Sequence, residues 1–280
     1  MLVDRIEKYL REKEYSIDAG LKYEVEKIAG YAFSRQFMDP WEEKKGTLRL
    51  SSSGKCARQL AYQYHGYEKT GKKMDGRSKI VFWTGDLSEL TIIALAKLAG
   101  CSVSGTGLNQ IQVSIDVDGN KIKGHPDGVL FDESGIYLIE IKSMSSYVFE
   151  RFENGEVPDD YLYQINCYMK ALGLQKCVFV ALNKESGVMK EMILDYDESK
   201  YQFARVNLLK VLKSTEFYLP LPPKDLQDPD KKGFYSWKCL YCAYWATCKP
   251  YAKQVLVGQS YKLKQMDSNE VAKEEAKIGA

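Results

Sequence analysis

GHPDGVLFDESGIYLIEIKS, residues 124–143, decides how the chain reads. Two apolar runs, Val129–Phe131 and Ile136–Ile141, flank the turn-forming stretch Glu133-Ser134-Gly135, the pattern of tightly joined antiparallel strands. Each run carries polar residues that a strand does not need. Asp127 precedes the first, and Glu140 and Lys142 close the second. If 121–131 and 135–143 pair, Asp127 and Glu140 come together on one face. Lys142, two residues from Glu140, points the same way. Two carboxylates so placed repel unless positive charge lies between them. Mg²⁺ or Mn²⁺ supplies that charge through oxygen ligands, with the Ile141 carbonyl as a third oxygen. Lys142 is then placed to hold a water or offset charge developing on a phosphoryl group. Alone, an acid and a lysine around an isoleucine describe any edge strand. The preceding Gly124-x-Pro126-Asp127 favours the metal site.

Bulk properties narrow the field. The chain has 280 residues and a net charge of +2, so it is not a globally basic nucleic-acid binder. Positive charge is local: KKMDGRSK at 72–79, Lys231-Lys232, and Lys44, Lys45 and Arg49. No stretch approaches the roughly 20 consecutive apolar residues of a membrane span. The start, MLVDRIEKYLREKEYS, is charged throughout and lacks an apolar signal core. The expectation is a cytoplasmic protein with no membrane partner. Seven cysteines in such a chain are not expected to form disulfides. Cys101, Cys167 and Cys177 lie among apolar neighbours and read as small core residues.

Apolar spacing predicts helices over 4–14, 20–37, up to about Tyr64, and 80–99, with a Gly- and Lys-rich loop at 66–79. Three strands follow, at 110–118, 121–132 and 135–144, joined as a meander by Asp118-Gly119 and by 133–135. Then come a helix at 158–172, strands at 176–183 and 189–196, and a helix at 198–214. A Pro-rich connector, 218–233, leads to KCLYCAYWATC. Beyond about 258 the charged tail is expected to be mobile or a loose helix. This order fits one α/β core with a mixed central sheet and helices on both faces. The divisions expected are 1–107, helical; 108–217, the core; 218–257, a cysteine-bearing lobe; and 258–280, the tail.

Further candidates lie on helices. In WTGDLSEL, Glu89 follows Gly85 by four residues. By itself Glu89 reads as solvent-facing. Beside the strand pair, Gly85 permits close approach to sheet or DNA backbone, and Glu89 reaches the metal. Gln164 and Tyr168, four apart, share one helical face and suit contacts to phosphate or base, although a partly buried amphipathic helix accounts for Tyr168 equally well. His125, two residues before Asp127, shares its face, where a packed or surface histidine is the commoner outcome.

These motifs together resemble the PD-(D/E)xK nuclease superfamily, and within it the RecB-like exonuclease branch. The branch's helical G-x-x-x-(H/E) matches Gly85 and Glu89, its G-x-x-D matches Gly124 to Asp127, its E-x-K matches Glu140 to Lys142, and its Q-x-x-x-Y matches Gln164 to Tyr168. The resemblance covers roughly residues 50 to 250. CRISPR-associated members carry His where Glu89 stands; λ-exonuclease-like members carry Glu. The resemblance implies a restriction-endonuclease-like core and a metal-dependent DNA exonuclease acting on single-stranded or frayed ends, 5′→3′ favoured. It implies work in recombination, repair or CRISPR adaptation alongside such proteins. An endonuclease on the same core, or a non-catalytic DNA-end binder, are the alternatives.

Cys239, Cys242 and Cys248 form C-x₂-C-x₅-C, and Cys56 lies far upstream. Zinc usually takes paired knuckles, whereas one distant and three clustered thiolates suit a [4Fe–4S] cluster as well. AddB-type and CRISPR-associated members carry one Cys before the nuclease core and three after it. The resemblance therefore implies a [4Fe–4S] cluster over zinc, stapling N- and C-terminal segments, with Tyr241, Tyr244 and Trp245 as shielding aromatics. It also implies a DNA-end contact for Arg58. Ser51, Ser52 and Ser53 are candidates for phosphate bonding or helix capping.

Overall fold

Strands β5 (Gly135–Met144) and β6 (Lys176–Asn183) are buried along most of their length, as strands covered on both faces must be. In the computed structural model, which describes residues 1–12, 19–38, 44–70, 76–258 and 260–278, they are the parallel centre of a mixed sheet. The sheet runs β1 (Ser102–Ser104), β4 (Gly128–Asp132), β5, β6, β7 (Met189–Asp195). Every pairing other than β5–β6 is antiparallel. A parallel pair needs a crossover. Two helices supply it, α5 (Ser146–Glu153) and α6 (Asp159–Leu172). The mixed sheet flanked by helices is the architecture the sequence led us to expect.

The chain divides into two compact units. The first comprises Met1–Glu42, Leu48–Gly54 and Asp75–Leu209 and contains the sheet. On one face, Ile139 and Ile141 of β5 and Val178 and Val180 of β6 pack with Leu2, Val3 and Ile6 of α1 (Leu2–Glu12) and Ile92, Ile93 and Ala96 of α4 (Gly76–Leu98). The carboxylate of Glu191 on β7 accepts the N–H groups of Leu2 and Val3, at 3.0 and 3.2 Å, satisfying two amides at the start of α1. On the other face, Phe179 meets Phe152 of α5 and Tyr161 of α6, with ring centroids 5.5 and 5.9 Å apart. Glu140 lies opposite Phe179 in register, on this second face. Cys101, Cys167 and Cys177 are buried.

The expected three-stranded meander is corrected. The run 121–132 is two strands, β3 (Asn120–Gly124) and β4, separated by His125–Asp127. β3 pairs with β2 (Val113–Val117) in a sheet of its own, through the expected turn at Asp118 (φ 55°) and Gly119 (φ 77°). Pro126 has no amide to give a ladder. At Gly124 a Cβ would lie 2.5 Å from Tyr168 Cε1 and 2.9 Å from Leu50 Cβ, so only glycine lets the ring sit there. The break frees Asp127 from the ladder.

Other departures are local. The strongly amphipathic α5 was not anticipated. α4 begins at Gly76 rather than 80. Ser51–Ser53 do not cap a helix: Leu50–Ser52 is a 3₁₀ turn, and Cys56 is the N-cap of α3 (Ala57–His65). Ser53 is buried, and its carbonyl accepts Asn207 Nδ2 at 2.8 Å. The expected helix end at 13–14, and Lys72 and Lys73 of the basic run, lie outside the described residues.

The second unit comprises Glu43–Thr47, Lys55–Met74 and Lys210–Ala280. It contains α3, α8 (Trp237–Leu240) and α9 (Trp245–Cys248). Beyond 258, where a mobile or loosely helical tail was expected, a hairpin strand precedes a helix. β8 (Ala252–Val257) and β9 (Ser260–Gln265) form an antiparallel hairpin, and α10 (Ser268–Ile278) follows. Leu263, fully buried, anchors the hairpin. Among the described residues no helix is long and apolar enough to cross a membrane.

Two glycines of the sequence motifs should behave oppositely. Gly124→Ala forces Tyr168 and Leu50 apart and should cost about 1–3 kcal/mol in urea unfolding. A Cβ at Gly85 would meet only Ser143 Oγ, at 3.6 Å, so Gly85→Ala should unfold at the same urea concentration or later, by up to about 1 kcal/mol.

Candidate active site

Asp127, released from the strand ladder, turns its Oδ2 to the Ile141 N–H, at 2.7 Å. That bond ties the break before β4 to the end of β5. Glu140, one residue before, is fully buried. Its Oε1 accepts Gln164 Nε2 at 2.6 Å and also takes the ammonium of Lys142. Its Oε2 is buried and has no hydrogen-bond partner. Lys142 also lies over the Tyr161 ring, 5.7 Å from its centroid. Glu89 comes from α4 and feels Asp127, Lys142 and Glu140. The structure thus brings together the four side chains that the sequence nominated for chemistry.

The electrostatics follow from crowding acids in a place short of water. Burial, then Asp127, raises Glu89 well above the ordinary carboxylate range, against the pull of Lys142. Burial raises Asp127 too, although Lys142 and the Ile141 N–H oppose it. Burial and Asp127 push Glu140 up to about 8. At Lys142 burial disfavours the ammonium, but Glu140 and Asp127 outweigh it and hold the group charged to higher pH than usual.

The expected DNA contacts are revised. Gln164 and Tyr168 are buried, Tyr168 to 1% exposure, so neither presents a surface to a strand. Gln164 uses its amide on Glu140, with Tyr168 Oη 3.5 Å from the same nitrogen. The pair positions a carboxylate. Tyr161, beside Lys142, was missed; its spacing of three from Gln164 placed it on the same helical face. His125 is exposed, and burial, then Arg49 and Lys123, hold it below its ordinary value. Gly85 does not serve helix-to-sheet approach, since a side chain fits there.

Arg58 and the four nominated cysteines belong to the second unit. Arg58 Nε donates to Tyr62 Oη at 3.3 Å, and its guanidinium lies over the Tyr62 ring. Cys56, Cys239, Cys242 and Cys248 are all free thiols, each partly buried. Burial raises Cys56, and pushes Cys239 and Cys242 up to about 11; each of these three also feels Cys248. Tyr244 is buried and stacks on Tyr62 at 5.4 Å, whereas Tyr241 is 79% exposed and shields nothing. Among the described residues, no group of three or more His, Cys, Asp or Glu side chains closes tightly enough to hold a metal ion.

No protein-family model matches the sequence, and no curated protein matches it. Among solved structures the chain is similar to the crystal structure of SSO0001, with a TM-score of 0.52 and 17% identity over 82% of this chain and 95% of that one. Alkaline exonuclease LHK-Exo from Laribacter hongkongensis aligns with a TM-score of 0.41 and 18% identity, over 60% of this chain and 88% of that one. LHK-Exo in complex with dAMP aligns with a TM-score of 0.41 and 20% identity, over 60% and 86% of the two chains. The likeness to SSO0001 is one of fold: a mixed sheet flanked by helices.

The carboxyl cluster sets a pH dependence. A carboxyl whose folded value is raised keeps its proton where the unfolded chain has released it, so stability falls as pH rises through that interval. For Glu140 the interval runs from 4.5 to about 8. Without divalent ions, the unfolding midpoint should therefore drop across it, and Glu140→Gln should flatten the drop.

Proposed function

We propose that the protein is a metal-dependent DNA exonuclease, hydrolysing phosphodiester bonds at single-stranded or frayed ends. The observation that carries this reading is the buried Oε2 of Glu140, without a partner, beside Asp127 and Glu89. An unsatisfied buried oxygen costs about 1–3 kcal/mol, and neighbouring acids add repulsion. A hard divalent cation removes both penalties, and the donors are the oxygens that such a cation takes. Asp127, Glu140 and Glu89, with the Ile141 carbonyl, would draw together to hold Mg²⁺ or Mn²⁺, since without the ion these acids do not close into a metal-binding group. When bound, the ion supplies charge stabilisation at phosphate oxygens and an acidified water.

The chain's own residues do the rest. Gln164 engages Oε1 of Glu140, which leaves Oε2 facing the cation, and Tyr168 packs against Gln164. Lys142, held as an ammonium, donates a hydrogen bond to the attacking water or a phosphate oxygen and is not the base. Arg58 remains a candidate for the DNA end. The 5′→3′ polarity, and work in recombination, repair or CRISPR adaptation, come from the family resemblance.

The four cysteines we assign to a [4Fe–4S] cluster, with zinc as the alternative. All four are free, partly buried and in one unit, and thiolate sulfur is the donor that such a cluster takes. Such a cluster would staple the Cys56 segment to the 239–248 segment within that unit.

Two experiments test these assignments. End-labelled linear DNA should be degraded with Mn²⁺, closed circular DNA should not, and Lys142→Ala should slow degradation by about 10²–10³-fold while remaining folded. Unaltered activity in that variant would contradict the assigned site, and inactivity of the parent chain would favour a binding protein. Anaerobically purified protein should contain iron and absorb in the visible. Cys248→Ala should lose that absorbance and melt several degrees lower; an unchanged melting temperature with the colour retained would refute the cluster.

A further inference from the structure

The second unit carries a surface that the catalytic residues do not use. In the β8–β9 hairpin, Lys253 stands directly opposite Lys264, and Val255 opposite Lys262. Residues paired across an antiparallel ladder share a face, so three lysines occupy one side of a two-stranded sheet. Like charges set directly across from one another cost stability. The segment 233–235 extends this sheet: Tyr235 N–H donates to the Leu263 carbonyl and Gln265 N–H to the Gly233 carbonyl, both at 2.9 Å. Phe234 bridges to Lys264, which sets it in a row with Lys264 and Lys253. Its ring lies beneath both neighbouring ammonium groups, 5.2 Å from Lys262 Nζ and 6.0 Å from Lys264 Nζ. The turn before it brings Lys231 and Lys232, both exposed.

Nearby acids offset part of this charge, Glu270 acting on Lys253 and Lys264 and Asp230 on Lys232 and Lys262. Glu270 pairs with Lys253. Asp230 Oδ1 accepts the N–H groups of Lys232 and Phe234, at 2.8 and 2.9 Å. Those bonds, led by Phe234, together with Lys232 and Lys262, hold Asp230 below its ordinary value. Among the described residues none of Lys231, Lys232, Lys262 and Lys264 forms a salt bridge. Four lysines without a salt bridge, two of them over one aromatic ring, in a chain whose total charge is only +2, mark a local polyanion site. Ammonium groups sharing one face match a phosphate backbone, and as they turn to phosphates the half-buried ring beneath them opens to an unstacked base.

We infer that this face of the hairpin, Lys232, Lys262, Lys264 and Phe234, docks the phosphate backbone of a single-stranded nucleic acid, with one base on Phe234. The inference deepens the nuclease reading, which says what the docked strand is for, but docking is measured apart from cleavage.

The test uses the full chain carrying Lys142→Ala, so that the strand survives, and a dye-labelled oligothymidine read by fluorescence anisotropy across a salt series. Adding Lys232→Gln, Lys262→Gln and Lys264→Gln together should weaken binding about tenfold or more. It should also lower the slope of log affinity against log salt by about 2, the share of three phosphates at about 0.7 each. Phe234→Leu should weaken binding with the slope unchanged, because stacking releases no counterions. The corresponding triple lysine-to-arginine variant should restore slope and affinity, separating lost charge from lost fold. Unchanged affinity and slope, no binding by the parent chain, or a triple-Gln defect confined to anionic phosphatidylserine vesicles would each overturn the inference. Should the wild-type chain fail to cleave DNA while the lysine dependence persists, the nuclease reading falls and the docking surface stands.

Discussion

Crowding of three carboxylates, two of them buried, around a single ammonium is the constraint on which the end of β5 depends. Asp127 raises the proton affinity of Glu89 and Glu140, Glu140 raises that of Glu89, and Lys142 opposes all three, helped at Asp127 by the Ile141 N–H. A protein core does not gain stability from such an arrangement. Apolar residues of similar volume would pack there without desolvation cost. The supporting contacts point the same way. Ile141 holds Asp127, Gln164 holds one oxygen of Glu140, and the other oxygen is left buried without a partner. Stability is sacrificed at one place, and the proposed divalent cation is what would offset that cost.

The backbone features around the cluster make sense on this account. Pro126 stops the ladder, and Gly124 lets Tyr168 close over the end of β3. Their joint effect is a break that turns Asp127 toward β5. The two outer residues of the motif, Gly124 and Tyr168, are thus a packing pair. Their importance to chemistry runs through the position of Asp127 and Gln164 rather than through contact with a substrate.

The strand pair around 133–135 was legible because its signals are local: two apolar runs and a turn. The β4–β5 pairing and the proximity of Asp127 to Glu140 followed from them. The break at 125–127 was not, since the ring that demands glycine at 124 arrives from a helix far along the chain. The hairpin at 252–265 was hidden for a different reason. SYKLKQ alternates as a strand does, but with lysines outside and a single buried leucine inside, so it reads as a charged tail. Helical spacing placed Gln164, Tyr168 and Tyr161 on one face without saying whether that face meets substrate or core. Burial decided it. The lysines at 231–232 looked like ordinary solvated charge until Phe234, just after them, was found bridged to Lys264.

The central claim is that Asp127 and Glu140 share a cation through the unpartnered oxygen of Glu140. Its most direct test is an anomalous-difference map from crystals grown with Mn²⁺. The account predicts a peak within coordination distance of Glu140 Oε2 and an Asp127 oxygen, absent from Glu140→Gln crystals. A fully occupied Mn²⁺ site elsewhere, with those two carboxylates unliganded, would contradict it.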